Sequence, residues 1–405
     1  MVSYAAGPAL GLLSGPVLAY ALGPVGRGQF ASVMQPITVA GALAALGIPS
    51  AVAVFSARGA YDPAQSYRLG MLLAVVPTLL VFAGLALYAP QVARAQHLDT
   101  GFVIGAWVLV IGASLVQVRR GFWQGIAGWG RLDLERLLFA VLRFAALVVV
   151  ALLGIRLAEA YVAAALGAFV VAALVVYWPD RARDGILAVR GAARPPTRAF
   201  TVFSASSAVG TVAAVANNRL DQVLMPAQIS SAQIGYYAIA VTVAEVPLVL
   251  IALASRNALQ AASAGFPVRA IWREIRIFVV TGVVALVVLA AAADLYVPVF
   301  FGADFASSIA PVRVLSIGTL FAMAGMVASA VITGYGRPFA ASLLALSGLV
   351  VTVVLFAVFW GEVGSLAAAW IATASQAVAI VVGAVVVIVL WARRARQAHD
   401  AGALR

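Results

Sequence analysis

The sequence predicts an all-α polytopic membrane protein of about twelve transmembrane helices, arranged as two pseudo-symmetric six-helix lobes. Three observations predict it: the apolar composition, the sorting of basic residues among the connections, and a fragment that recurs at the same point of each half. Of 405 residues, 64% are hydrophobic and 10% charged, and mean hydropathy is +1.07. Apolar stretches of about 18 residues or more read as membrane-spanning helices. Twelve fit that description: 4–22, 30–55, 69–89, 101–118, 134–154, 158–178, 200–224, 234–254, 277–297, 309–333, 338–360 and 366–391. Alternating ten-residue strands are absent from the sequence, so an outer-membrane barrel is not expected.

The first span contains Ala19-Tyr20-Ala21, which mimics a signal-peptide cleavage site. It lacks a basic region ahead of it and eleven spans follow, so it reads as a retained helix. Its uncharged start is unusual for a cytoplasmic N-terminus; either the charge elsewhere suffices or the natural start lies upstream. All 26 basic residues are Arg. With the N-terminus inside, twenty fall in cytoplasmic connections or the tail. Three fall outside (Arg27, Arg94, Arg156) and three within spans (Arg143, Arg219, Arg313). That asymmetry follows the positive-inside rule and predicts cytoplasmic termini; the absence of Lys and the heavy Ala, Arg, Gly and Val usage point to a bacterial source, and so to a bacterial inner membrane. It also explains the net charge of +12 without a nucleic-acid partner.

Gly128-Trp129-Gly130-Arg131 returns 206 positions later as Gly334-Tyr335-Gly336-Arg337. Each copy ends the fourth span of its half. Gln29-Phe30-Ala31 and Tyr236-Tyr237-Ala238 open spans 2 and 8 at an offset of 207. The alternative is that Gly and aromatic residues simply recur at membrane interfaces; the agreement with span order favours duplication. The expected division is a lobe at 1–180, a cytoplasmic linker at 181–198, and a second lobe with a basic tail at 199–405.

Prolines at 16, 36, 49, 77, 247 and 311 fall inside spans, where each removes a backbone donor. Spans 1, 2 and 8 are therefore candidates for bending, static packing being the alternative for any single Pro. Span 10 carries small residues, among them Gly318, Gly325 and Gly334, at a spacing suited to tight helix contact.

Charges within spans cost about 2.5–3.5 kcal/mol on insertion scales, so each needs a partner or a polar cavity. Glu245 lies mid-span 8. Asn217-Asn218-Arg219-Leu220-Asp221-Gln222 holds five polar residues late in span 7. Arg219 and Asp221 are two apart and point to different sides of a helix. The candidate cavity residues are Arg219, Asp221, Glu245, Asn218, Arg27, Arg143, Arg313 and Gln35. For Arg27, Arg143 and Arg313, nearer span ends, the competing reading is an ion pair or snorkelling to headgroups. Arginines in a cavity suit an anion, because a guanidinium binds phosphate bidentately. Zero Cys and two distant His (His97, His399) leave neither a thiolate nucleophile nor a plausible metal cluster. With no Lys there is no ordinary P-loop. Neither a cofactor nor enzymatic activity is expected.

Leu22-Gly23-Pro24-Val25-Gly26-Arg27-Gly28-Gln29-Phe30-Ala31 resembles the LGPxGRGxYA-type junction of polysaccharide flippases. Arg219-Leu220-Asp221-Gln222-Val223-Leu224, then Ile234-Gly235-Tyr236-Tyr237-Ala238 and Glu245, resembles their RLDQxLL…xGxYAxAxxxxE pattern. These are the Wzx-type oligosaccharide flippases of the multidrug/oligosaccharidyl-lipid/polysaccharide (MOP) exporter superfamily. Met225-Pro226 departs from the Gly expected after the leucines, as does the uncharged N-terminus. The resemblance implies two six-helix lobes around a cavity with alternating access. It further implies a polyprenyl-diphosphate-linked oligosaccharide as substrate, in the lipid bilayer, with a polysaccharide polymerase or glycosyltransferases as candidate partners. A cation-coupled drug exporter, a lipid II flippase and a polytopic O-antigen polymerase or ligase are the rivals. They are disfavoured in turn by the arginines, the lack of extra spans and the short outer loops.

Overall fold

The computed structural model describes residues 2–58, 60–177, 193–361 and 363–403. Among these the first half forms α1 (Val2–Ala44), α2 (Ile48–Ala57), α3 (Pro63–Gln96), α4 (Thr100–Trp107), α5 (Leu109–Gly125), α6 (Trp129–Leu152) and α7 (Ala158–Tyr177). The second half forms α8 (Thr197–Leu224), α9 (Ser231–Ala244), α10 (Leu248–Ser263), α11 (Val268–Ala291), α12 (Ala293–Phe301), α13 (Ile309–Gly334), α14 (Pro338–Val358) and α15 (Ser365–Ala403). The expected linker lies largely outside the described residues.

Nine segments among the described residues are long and apolar enough to cross a membrane, and the bent pair α9–α10 makes a tenth. The two further expected spans are present as helices, and each escapes that count for a physical reason. α1 has 43 residues, or about 65 Å at 1.5 Å per residue, twice the hydrocarbon thickness of about 30 Å. It is interrupted at Gly23, whose φ of 63° and ψ of −175° are not helical. A Cβ placed on Gly26 would lie 2.9 Å from the Leu22 Cβ, whereas an unbroken helix holds such atoms about 5–6 Å apart. The chain bends sharply here, and α1 contains span 1 and the start of span 2. α6, the fifth span, carries Arg131, Asp133, Glu135, Arg136 and Arg143, which lower its apolarity.

Bends occur in two of the three spans expected to have them. Span 2 breaks between α1 and α2, where Leu46 (φ 39°) and Gly47 (φ 69°) leave the helical region. Span 8 breaks between α9 and α10, bending by 47°, with Pro247 as the N-cap of α10. Span 1 breaks only at its end, at Gly23; Pro36 and Pro77 leave their helices continuous.

The halves repeat one packing scheme: α2 lies on α5 as α10 lies on α13, and α6 on α7 as α14 on α15. Trp107, Tyr161 and Leu147 are buried in the first core and Ile239, Phe305 and Phe356 in the second. The two Gly-aromatic-Gly-Arg fragments occupy equivalent connections, α5–α6 and α13–α14. In α13, Gly318 fits against Thr373 and Gly334 against Ala262, whereas Gly325 faces open space. Only 17–39% of the most apolar windows of the nine segments is buried inside the protein. Leu72, Leu87, Leu152 and Phe339 point outward, a surface suited to lipid and costly in water.

Candidate functional site

In the orientation predicted by the arginines, the end of the bundle bearing Gly23, Gln96 and Ser231 is the outer end. α8 runs towards it from the opposite end. There, at the inner end, the Ser204 hydroxyl donates to the Leu46 carbonyl at 3.0 Å and Phe200 packs on Phe55. The polar stretch of α8 fans out to α15, to α9 and to the bend that follows α9. The Ser375 Oγ on α15 donates to the Asn217 Oδ1 at 3.0 Å, and the Gln376 Nε2 donates to the Asn218 Oδ1 at 3.2 Å. Arg219 Nη2 meets Glu245 Oε2 at 2.7 Å. The Tyr237 hydroxyl on α9 donates to Asp221.

The two acids therefore have different surroundings. Asp221 is 6% exposed, inside the second lobe, and its bond to Tyr237 satisfies a charge otherwise costly there. The side chains of Arg219 and Glu245 are each 33% exposed. Glu245 sits at the α9–α10 bend, on the helical stripe 235, 238, 242 and 245, which faces α1: Gly235 touches Pro24 and Thr242 lies by Gly15. The pair thus looks into the space between the halves. Gln35 lies on the matching stripe of α1 (28, 31, 35, 38), and its side chain is half-buried.

In the first half, Arg27 is 8% exposed, over the Phe30 ring at 5.7 Å, and within electrostatic reach of Arg143. The Nε of each is buried with no hydrogen-bond partner among the described residues. Two cations with no carboxylate bonded to either Nε leave an excess of positive charge in the first half. Arg313 does not join them. It pairs with Asp294, and with side chains 48% and 65% exposed the two form a peripheral pair between the ends of α11–α12 and α13. This is the ion-pair alternative stated for Arg313 above.

Several contributors were not singled out from the sequence. Tyr237, Ser375 and Gln376 complete the α8 network; the only signal for the last two was a polar pair within an apolar span. Arg120 makes a two-point bond to Glu135, at 2.9 and 2.8 Å. It also reaches Gln117 at 3.3 Å. Two separated segments supply that pair, so hydropathy alone does not reveal it.

A membrane bundle of two repeated halves with charged side chains facing the space between them is the architecture of a transporter. The profile of the polysaccharide biosynthesis protein family matches residues 1–260, and the chain belongs to that family. No curated protein matches the sequence. Among solved structures, the chain is similar to the lipid II flippase MurJ in an inward closed conformation, with TM-score 0.73, 12% identity, and coverage of 94% of this chain and 86% of that one. It is also similar to an inward-facing multidrug resistance MATE transporter of the MOP superfamily, with TM-score 0.69, 15% identity, and coverage of 96% and 98%. An outward-facing MATE transporter of that superfamily gives TM-score 0.56 at 16% identity, over 98% and 96%. The fold is that of the MOP superfamily.

Proposed function

We propose that this transporter flips a polyprenyl-diphosphate-linked oligosaccharide from the cytoplasmic to the outer leaflet of a bacterial inner membrane, for cell-surface polysaccharide export. The observation that carries the reading is the presence of two arginines in the first half, Arg27 and Arg143, whose buried Nε atoms lack hydrogen-bond partners among the described residues. Family membership supports the polysaccharide part of the reading. A diphosphate supplies the acceptors these guanidinium groups lack, and each can take it bidentately. The Arg219–Glu245 pair and Asn218 offer hydrogen bonds to sugar hydroxyls, while the prenyl tail stays in lipid.

The higher similarity to inward-facing than to outward-facing relatives supports a cavity open towards the cytoplasm, where such a substrate is built. Outward movement of one net negative charge is favoured by about 2.3 kcal/mol per 100 mV of inside-negative potential. The MATE neighbours favour one second reading, a cation-coupled drug exporter. The test is complementation of a strain lacking this gene. Arg27→Ala, Arg143→Ala and Arg219→Ala are each expected to cut polymer export at least tenfold at normal membrane levels. Wild-type export by all three would refute the site, and altered drug susceptibility with intact polymer would favour the exporter.

A further inference from the structure

Gly28 and Gly235 are separated by 207 positions, the offset relating spans 2 and 8, and so are Pro24 and Ser231. These four residues meet. A methyl group added to Gly28 would overlap the Ser231 carbonyl oxygen, and one added to Gly235 would overlap the Pro24 carbonyl oxygen. The missing Cβ of Gly28 would also lie 3.0 Å from the Gly235 nitrogen, and that of Gly235 3.3 Å from the Gly28 nitrogen. The contact is isologous, as across a true two-fold axis, where residue i meets j and j meets i. It therefore marks where the pseudo-two-fold passes through the protein.

Other bonds between the halves gather at the same end. The Gln96 Nε2 donates to the carbonyls of Pro226 and Ile229 at 2.7 and 2.9 Å. The Tyr88 hydroxyl donates to the Val223 carbonyl at 2.8 Å, and the Tyr20 hydroxyl to the Val299 carbonyl at 2.7 Å. Farther along the two stripes, Gln35 and Thr38 on one side and Glu245 on the other border the space between the halves. The glycine contact thus closes one end of the space that the charged side chains face.

We propose that the Gly28–Gly235 contact is the outer gate of the transporter, a backbone seam on the pseudo-two-fold axis that any side chain at either position holds ajar. It rests on the alternating-access reading and not on the identity of the cargo. Neither glycine has a positive φ, and Ala is the better helix former. The effect of a methyl group therefore comes from its overlap with the partner.

The chain has no cysteine, so Thr38→Cys is a single reporter for membrane-impermeant maleimide applied to sealed vesicles of either orientation. With both glycines in place, labelling is expected several-fold faster from the inner face. Adding Gly28→Ala or Gly235→Ala is expected to raise labelling from the opposite face at least tenfold, and equally for the two. Gly167→Ala, whose methyl meets nothing within 4 Å, is expected to change nothing. If the glycine variants fail to insert, Gln96→Ala decides, with a smaller shift of the same sign. Unchanged labelling in every inserted gate variant overturns the gate, and a response to only one glycine overturns its symmetry. Export measured on the same strains is a separate readout, so failure of the gate and failure of the cargo assignment are distinguishable.

Discussion

Arg219 and Glu245 each offset the cost of the other's charge, so deleting one leaves the survivor half-buried without a partner. Hydrogen bonds to charged groups contribute roughly 1.5–3 kcal/mol. Arg219→Ala or Glu245→Ala alone is expected to lower thermal stability in detergent by an amount in that range. The double variant is expected to regain most of the stability but no export, which a melting curve beside an export assay would check. Asp221 presents a different expectation. Its carboxylate accepts from Tyr237, a bond that an amide oxygen can also accept. Asp221→Asn is therefore expected to fold and Asp221→Ala to lose stability, as read by yield and melting. The sequence marked every one of these residues as a costly intramembrane charge and separated Arg219 from Asp221 by helical angle. It did not identify their partners, because Tyr237 and Glu245 reach α8 only once α9 has packed and bent. An ion pair was one of the readings for Arg313, but its partner Asp294 went unnamed because it comes from a preceding span, and hydropathy does not say which span ends are neighbours.

At the scale of elements, a helix lies at each of the twelve expected spans among the described residues, and the prolines pointed to two of the spans that break but not to the backbone that makes the breaks. The bend in span 2 depends on Gly47. Its φ is 69°, and a Cβ there would lie 2.5 Å from the Ser204 carbonyl oxygen and 2.6 Å from the Ala208 nitrogen. The left-handed backbone alone costs an L-residue roughly 1–2 kcal/mol. Gly47→Ala is thus expected to destabilise by at least that much and to loosen α8 from α2, seen as faster proteolysis. Pro247 has the converse role at the α9–α10 bend. Restoring a backbone donor with Pro247→Ala is expected to straighten span 8, pull Glu245 from Arg219 and reduce export at least severalfold, while membrane insertion stays normal. Of the prolines noted in the sequence, only those at these bends mark real breaks. Tertiary packing, more than the ring itself, decides which prolines bend a membrane helix.

For the whole molecule, duplication was legible from two short echoes, and both map onto equivalent places in the two halves. The halves differ where charge is concentrated. With the same offset, Arg219, Asp221, Tyr237 and Glu245 correspond to Leu12, Ser14, Phe30 and Thr38, while Arg27 corresponds to Ile234. Each half therefore supplies a different part of the polar surface, and neither alone can form it. A cargo bearing net negative charge is expected to cross faster as the inside-negative potential is raised, which flux in proteoliposomes under an imposed potassium potential would measure; a flat response would indicate compensating ion movement.

The glycine seam has a consequence for how such a chain tolerates inherited change. A position that faces its own counterpart experiences a substitution copied into both halves as two bulky groups in one gap, and a substitution in one half as a single intrusion. The surface on each side is complementary to itself, so two separate polypeptides, one ending and the other starting between 181 and 192, would still carry matching halves of the closure. Co-expressed from two plasmids, such fragments are expected to find each other in the bilayer and restore export. Either fragment alone is expected to restore none.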